Sequence, residues 1–102
     1  MKIIVLFNLK PSVDVAAYEA WARNTDILGV RAMKSVADFQ VHRATGLLGS
    51  EAPSPYAYVE EIDVADMALF WQEVVQPGPQ KVAAEFREFL AGEPVFITTE
   101  TL

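Results

Sequence analysis

The residues from Ile3 to Phe7 are all apolar, and they constrain the fold more than any other segment. Successive side chains of a strand point to opposite faces of a sheet, so this strand is apolar on both faces and needs a cover on both. The stretch is too short for the core of a signal peptide or for a membrane span. We therefore expect a central strand in a cytoplasmic protein that has no membrane partner.

Composition limits the class of protein. Of the 102 residues, 52% are apolar and 22% are charged, which predicts one folded domain over residues 1–102. The net charge of −6 disfavours a nucleic-acid partner, because phosphates attract positive charge. Cysteine is absent, which excludes disulfides, thiolate nucleophiles and cysteine-ligated metal centres.

The first half of the chain continues with a predicted helix and strand. Ser12 can cap a helix that runs to about Asp26, and Gly29 is expected to break it. A second strand follows, with its apolar and polar residues on alternate faces. The apolar set is Val36, Phe39, Val41 and Ala44, and the polar set is Asp38, Gln40 and His42.

The second half predicts a strand, a broken helix and a last strand. The third strand runs from Tyr56 to Ile62, and Asp63 is placed to cap the next helix. Prolines at 77 and 79 divide that helix, with Pro79 at the start of the second segment, and β-branched residues from Val95 predict the last strand. The first segment has a predicted core-facing stripe of Val64, Met67, Ala68, Trp71, Val74 and Val75.

The order β-α-β-β-α-β with a broken second helix folds most simply as a four-stranded antiparallel sheet with helices on one face. This is an α+β, ferredoxin-like architecture. Because helices cover only one face, the second apolar face of the first strand needs another cover. A homodimer in which two sheets stack would provide it, which is the arrangement of a dimeric α/β barrel.

Three segments resemble the RedY-like family, which includes HapK-like proteins of prodiginine biosynthesis: residues 21–26 (WARNTD), 39–43 (FQVHR) and 58–63 (YVEEID). The resemblance spans nearly the whole chain. It implies a dimeric α/β barrel that serves the biosynthesis of pyrrole- or indole-containing metabolites. It also implies that no metal, flavin or haem cofactor is required.

A wider resemblance is to cofactor-free antibiotic-biosynthesis monooxygenases and to the haem-degrading proteins of the same superfamily. In those proteins an asparagine on the first strand and a tryptophan on the second helix line a pocket, and Asn8 and Trp71 are the comparable positions here. The haem-degrading branch has an iron-binding histidine shortly after that tryptophan. No histidine follows Trp71, so we reject a haem site.

Three titratable residues are candidates for proton transfer. His42 is the only histidine, and its imidazole suits proton transfer near neutral pH, although it is too isolated to form a metal site. Glu60 and Glu61 point to opposite faces, so one should be desolvated, and we select Glu60. Asp26 lies near a helix C-terminus, where the helix dipole disfavours a carboxylate.

Each of these candidates also has a structural interpretation. His42 is equally consistent with a hydrogen-bonded surface residue, and Glu60 with a carboxylate that reaches water at a strand end. Asp26 can form an ordinary ion pair with Arg23, Arg31 or Lys34.

Four further residues are candidates for substrate binding: Asn8, Gln40, Tyr58 and Trp71. Strand parity allows Asn8, Gln40 and Tyr58 to share one sheet face with His42 and Glu60. Backbone hydrogen bonds to the Asn8 amide and a core position for Trp71 are the structural alternatives. An apolar cavity with a few polar groups suits a small apolar heteroaromatic metabolite.

These patterns predict a secondary-metabolism protein that binds a pyrrole or indole intermediate and assists its condensation or cyclisation. The chemistry would be acid–base catalysis without a cofactor. Two alternatives remain open. One is a cofactor-independent monooxygenase, and the other is a non-catalytic binding or chaperone module that docks on a pathway synthetase.

Overall fold

Four strands form one antiparallel sheet in this computed structural model, which describes residues 1–102. The sheet order is β2-β3-β1-β4, so the first and third strands are central. This order and the helices that follow the first and third strands confirm the predicted α+β, ferredoxin-like fold. The strands are β1 (Lys2–Phe7), β2 (Val36–Arg43), β3 (Tyr58–Val64) and β4 (Val95–Thr98).

The helical structure between β1 and β2 is continuous, but a π-helical turn separates two α-helical segments. Asp14 caps its start by accepting a hydrogen bond from the Ala16 N–H at 3.2 Å, so the predicted cap at Ser12 is wrong. Gly29 does not break the helix, because its φ is not in the left-handed region that ends helices at glycine. The segments are α1 (Val15–Trp21), a π-helical turn (Ala22–Asp26) and α2 (Ile27–Arg31).

Two helices follow β3: α3 (Met67–Glu73) and α4 (Pro77–Phe89). The β3 strand continues to Val64, so the cap of α3 is Asp66, which accepts from the Leu69 N–H at 3.1 Å, and not Asp63. This shift of three residues changes which side of α3 packs inward. Met67 and Phe70 contact the core, while Trp71 is 65% exposed. The predicted stripe through Trp71 is therefore wrong. Likewise α4 begins at Pro77 and not at Pro79.

The core lies between the sheet and the helices. Ile3, Val5 and Phe7 of β1 are buried there. Phe7 is the centre of an aromatic cluster: its ring stacks on Tyr58 at 5.4 Å and meets Phe86 edge-on at 4.9 Å. Aromatic pairs at these distances add stability beyond the area that they bury.

The opposite face of the sheet is apolar and only partly covered. Ile4 and Leu6 of β1 are half-buried, and their β4 partners Ile97 and Val95 are 42% and 37% exposed. β1 is therefore apolar on both faces, and a single copy of the chain buries only one of them.

None of the helices combines the length and the apolar character that a crossing of the bilayer requires.

Replacing Phe7 with alanine should lower the free energy of unfolding by about 3–5 kcal/mol, because it removes the ring on which three other aromatic rings pack. Urea denaturation followed by circular dichroism measures this. Leu48→Ala is the matched control, since Leu48 is fully exposed and its truncation should change stability by less than about 0.5 kcal/mol. Equal effects of the two substitutions would contradict the assigned core.

Candidate functional site

A cleft of about 340 Å³ opens between α1, the π-helical turn and the edge formed by β2 and β3. Its inner wall is formed by the rings of Tyr18 and Tyr58 and by the apolar side chains of Ala22, Ile27 and Val41. Charged side chains lie nearer to solvent, where the cleft is lined by Glu19, Arg23 and Arg43. The lining therefore combines apolar and charged side chains, and polar atoms supply most of its exposed surface.

Two buried carboxyl groups belong to the same layer between sheet and helices. Asp26 and Glu60 are each only 5% exposed. The main-chain register places Glu60 between Val5 of β1 and Val41 of β2, on the face that the helices cover. Neither carboxyl has a cationic partner, so their charged forms are strongly disfavoured.

Burial raises the pKa of both carboxyls. Desolvation raises the pKa of Asp26 from its ordinary 3.8 to about 7. Desolvation, with a further contribution from the negative charge of Asp26, raises the pKa of Glu60 well above its ordinary value. Burial therefore favours the protonated form of Glu60, and the pKa of Asp26 lies near neutral pH. Glu60 is the desolvated member of the Glu60–Glu61 pair, as the sequence predicted.

The π-helical turn brings Asp26 inward. The Ile27 N–H donates to the carbonyl of Ala22, five residues earlier, which is the hydrogen bond of a π-helix. Within this turn Ala22 and Asp26 are the buried residues. The predicted ion pairs of Asp26 do not form: Arg23 contacts Glu19, and Arg31 contacts the Phe39 carbonyl and Asp38.

Tyr18 is a site residue that the sequence analysis missed. Its side chain is fully buried, its hydroxyl has no hydrogen-bond partner, and one oxygen of Glu60 also has none. Burial raises the pKa of Tyr18, and the negative charges of Glu60 and Asp26 raise it further. Residues 18, 22 and 26 are spaced by four, and residues with this spacing lie on one side of a helix. This spacing could have placed Tyr18 on the same side as Asp26.

Glu19 organises the rim of the cleft. Its carboxylate accepts from Arg43 Nε at 2.7 Å, from Arg43 Nη2, and from the Tyr58 hydroxyl at 2.7 Å. Arg23 Nη2 approaches the same carboxylate at 3.5 Å. The hydrogen bonds from Arg43 and then from Tyr58 lower the pKa of Glu19 to about 2. Tyr58 is thus held between the core ring of Phe7 and the charged rim.

The prediction that one sheet face carries Asn8, Gln40, His42, Tyr58 and Glu60 is wrong. The register pairs His42 with Val59 and Gln40 with Glu61, so both side chains point away from Glu60. His42 Nε2 lies 2.8 Å from Glu61 Oε2 on the open face, and this hydrogen bond lowers the pKa of Glu61. Gln40 donates to Asp38 at 2.9 Å. His42 still contributes to the edge of the cleft.

Asn8 and Trp71 do not line the cleft. The Asn8 amide donates to the Pro55 carbonyl at 3.0 Å and accepts from the Ala57 N–H at 2.8 Å. Both polar ends of the side chain are thus used by the backbone, which is the structural alternative considered for this residue. Trp71 lies on the exposed side of α3. Nowhere do three or more histidine, aspartate or glutamate side chains gather as metal ligands would.

The family model described as REDY-like protein HapK matches residues 1–102. The chain belongs to this family. Its fold is similar to that of HapK from Hahella chejuensis, with a TM-score of 0.73 and 27% identity over 98% of this chain and 93% of that chain. No curated protein matches the chain.

Two more distant structures share the fold of this HapK-family protein. SnoaB from Streptomyces nogalater, a cofactor-independent oxygenase, has a TM-score of 0.72 and 17% identity over 99% of this chain and 93% of that chain. A dimeric ferredoxin-like protein from Thermobifida fusca has a TM-score of 0.73 and 19% identity over 94% of this chain and 85% of that chain.

The pKa of Asp26 predicts that stability falls as pH rises. The folded protein keeps a proton between about pH 4 and 7 that the unfolded chain loses, so the free energy of unfolding should fall across this window by on the order of 4 kcal/mol from Asp26 alone. Glu60 acts in the same direction. Glu19 has a lowered pKa, so the stability it contributes is lost only below about pH 4.5.

Urea denaturation at pH 4.5, 6 and 8, at constant protein concentration and ionic strength, measures the slope of the free energy of unfolding against pH. Asp26→Asn should reduce the pH dependence of the free energy of unfolding and raise stability at pH 8. The reason is that the variant has no carboxyl at this buried position that would ionise on unfolding. Asp63→Asn, at an exposed position on the opposite face, should leave the slope unchanged. A wild-type slope of the opposite sign would contradict the assigned protonation states.

Proposed function

We propose that this HapK-family protein binds a small, flat, apolar heteroaromatic intermediate in the cleft and assists its condensation or cyclisation by acid–base catalysis without a cofactor. The observation that carries the proposal is the pair of buried carboxyls, Asp26 and Glu60. Neither lines the cleft itself, but Val41, which pairs with Glu60, and Ala22 and Ile27 of the Asp26 turn do, so the carboxyls lie directly behind its wall. Membership of the HapK family supports a role in secondary-metabolite biosynthesis. A pyrrole or indole ring is the proposed chemical class of the intermediate.

The two carboxyls suit opposite halves of a proton-transfer reaction. In a condensation that loses water, Glu60 donates a proton to the oxygen that departs, and Asp26 takes the proton from the ring carbon that forms the new bond. A proton passing from Asp26 to Glu60 then restores the starting state. Burial raises the pKa of both carboxyls toward the range that is useful for proton transfer near neutral pH.

The surrounding side chains suit a planar ligand. Ile27 and Val41 are the partly exposed apolar side chains of the lining. Tyr18 and Tyr58 lie beneath them and are at most 4% exposed, so the proposal requires these rings to move before a planar ligand can contact their faces. The buried Tyr18 hydroxyl offers a donor to a ligand oxygen. Displacement of water strengthens the electrostatic effect of each group on the bound ligand.

The catalytic role of His42 stays a prediction. Its imidazole is bound to Glu61 on the open face, whereas the two buried carboxyls lie on the helix-covered face. The proposal therefore assigns the proton transfer to Asp26 and Glu60, and it treats His42 as a separate hypothesis that substitution can decide.

Purified protein should be incubated with metabolite extracts of its own pathway and the retained and converted compounds identified by mass spectrometry. We expect Glu60→Gln and Asp26→Asn each to slow conversion by about 10²- to 10⁴-fold, the usual contribution of a general acid or base. Circular dichroism establishes that the variants are folded. Loss of activity in His42→Ala, with both carboxyl variants fully active, would move the proton transfer to His42.

Other outcomes identify the alternatives. Retention of a metabolite without conversion would favour a binding or chaperone module, including one that docks on a pathway synthetase. Consumption of oxygen during conversion would favour a cofactor-independent monooxygenase.

We also propose that the protein is a homodimer whose two open sheet faces stack. The register aligns Leu6 with Val59 on one side and with Val95 on the other, and Ile4 with Ile97, so the apolar side chains form one continuous patch. Such a patch is costly to leave in water, and a two-fold axis would cover it with an identical surface. The pairing of similar sheets is a common way to bury such faces.

Leu6→Asp should convert the dimer to a monomer, because it puts a charge at the centre of the apolar patch. Sedimentation velocity or light scattering measures the mass in solution. Leu28→Lys is the matched control, since Leu28 is exposed on α2 and should leave the mass unchanged. A wild-type protein that stays monomeric at micromolar concentration would refute the stacked arrangement.

A further inference from the structure

We propose that the ligand of the cleft carries a carboxylate, which binds to the guanidinium groups of Arg43 and Arg23 at the rim. This inference rests on the proposed function and extends it: the aromatic part of the ligand lies against the inner wall, and its anionic part faces outward.

The charge around the cleft differs in sign from that of the whole chain. Two arginines and one carboxylate, Glu19, line it, whereas the whole chain has fourteen acidic and eight basic residues. The cleft therefore has a local excess of positive charge in an acidic protein. Such an excess beside an apolar wall attracts and orients an anionic ligand.

The hydrogen bonds of Arg43 leave part of its guanidinium free. Nε and Nη2 donate to Glu19, which uses one edge of the planar group. The hydrogen bonds of Arg43 to Glu19 do not involve Nη1, the Tyr58 hydroxyl lies near the guanidinium, and the side chain is 59% exposed. A guanidinium can bind a second carboxylate through two parallel N–H donors on its other edge.

Glu19 also fixes the orientation of the free edge of the Arg43 guanidinium. Its carboxylate holds the Arg43 guanidinium in one orientation, and the Tyr58 hydroxyl holds the carboxylate in turn. A fixed guanidinium loses less conformational entropy when it binds a ligand than a free one does.

Arg23 supplies a second positive charge from the helical side of the cleft. Its contact with Glu19 is long, at 3.5 Å, and its side chain is 67% exposed. Most of its donors are therefore free. The two arginines and Glu19 together carry a formal charge of +1, two cations against one anion, which favours an incoming carboxylate.

The test uses two probes that share a ring and differ in charge: indole-2-carboxylate and indole-2-carboxamide. Binding of each to the full-length, isotope-labelled protein is measured by NMR titration. We expect the carboxylate to bind about tenfold more tightly than the carboxamide, with shifts at residues of the cleft. Added salt should weaken binding of the carboxylate alone.

Substitutions assign the preference to the rim. Arg43→Gln should bring the two affinities to within about twofold of each other, and Arg43→Lys should restore only part of the difference because it keeps the charge and loses the paired donors. Arg23→Gln should reduce the preference without disturbing the hydrogen bonds of Arg43 and Tyr58 to Glu19. Arg87→Gln, an exposed arginine of α4 outside the cleft, is the matched control and should keep the full preference.

The outcomes separate this inference from the proposed function. Equal binding of both probes in the cleft would overturn the carboxylate inference and leave the proposed function standing. A preference that survives in both Arg43→Gln and Arg23→Gln would also overturn it. Absence of binding by either probe would overturn the proposed aromatic site and the inference with it.

Discussion

The pairing of β3 with both of its neighbours is the constraint on which the rest of the structure depends. This strand is held by β1 on one side and by β2 on the other, so none of its side chains can turn away from its assigned face. Glu60 is thereby fixed in the layer under the helices, opposite Val5 and Val41. A carboxyl that cannot reach water and has no cation beside it has a raised pKa, and the proposed proton transfer depends on this shift.

The element order and the fold class could be predicted because they depend on local patterns. Runs of apolar residues, prolines and glycines mark the strands and breaks without knowledge of the rest of the chain. The relation between strands is not local. Apart from Val36 and Val64 beyond a register shift, each pairing in this sheet joins an odd-numbered residue to an even-numbered one, as Val41 to Glu60 shows. Equal parity on two directly paired strands therefore means opposite faces. The predicted grouping of His42 with Glu60 failed for this reason.

The ends of the helices could not be predicted from local sequence patterns either. Several residues near each boundary could serve as a cap, and tertiary contacts select one of them. The main-chain N–H of Val64 pairs with the carbonyl of Met1, so β3 extends past Asp63 and α3 starts later. Trp71 was consequently assigned to the wrong side of its helix. Glu60 was identifiable as a candidate because an acidic residue in a covered strand is unusual on physical grounds. Asp26 was selected for an expected helix C-terminus, and this basis is wrong, because the helical structure continues to Arg31.

The π-helical turn between α1 and α2 has a consequence for comparison with relatives. Two turns of a regular α-helix contain about seven residues, so a carboxyl buried on the same side as the tyrosine would ordinarily stand seven positions after it. The widened turn accommodates one more residue, and Asp26 stands eight positions after Tyr18. In a homologue whose helix is regular, the equivalent acid is offset by one position, and only an alignment with a gap in this turn will find it.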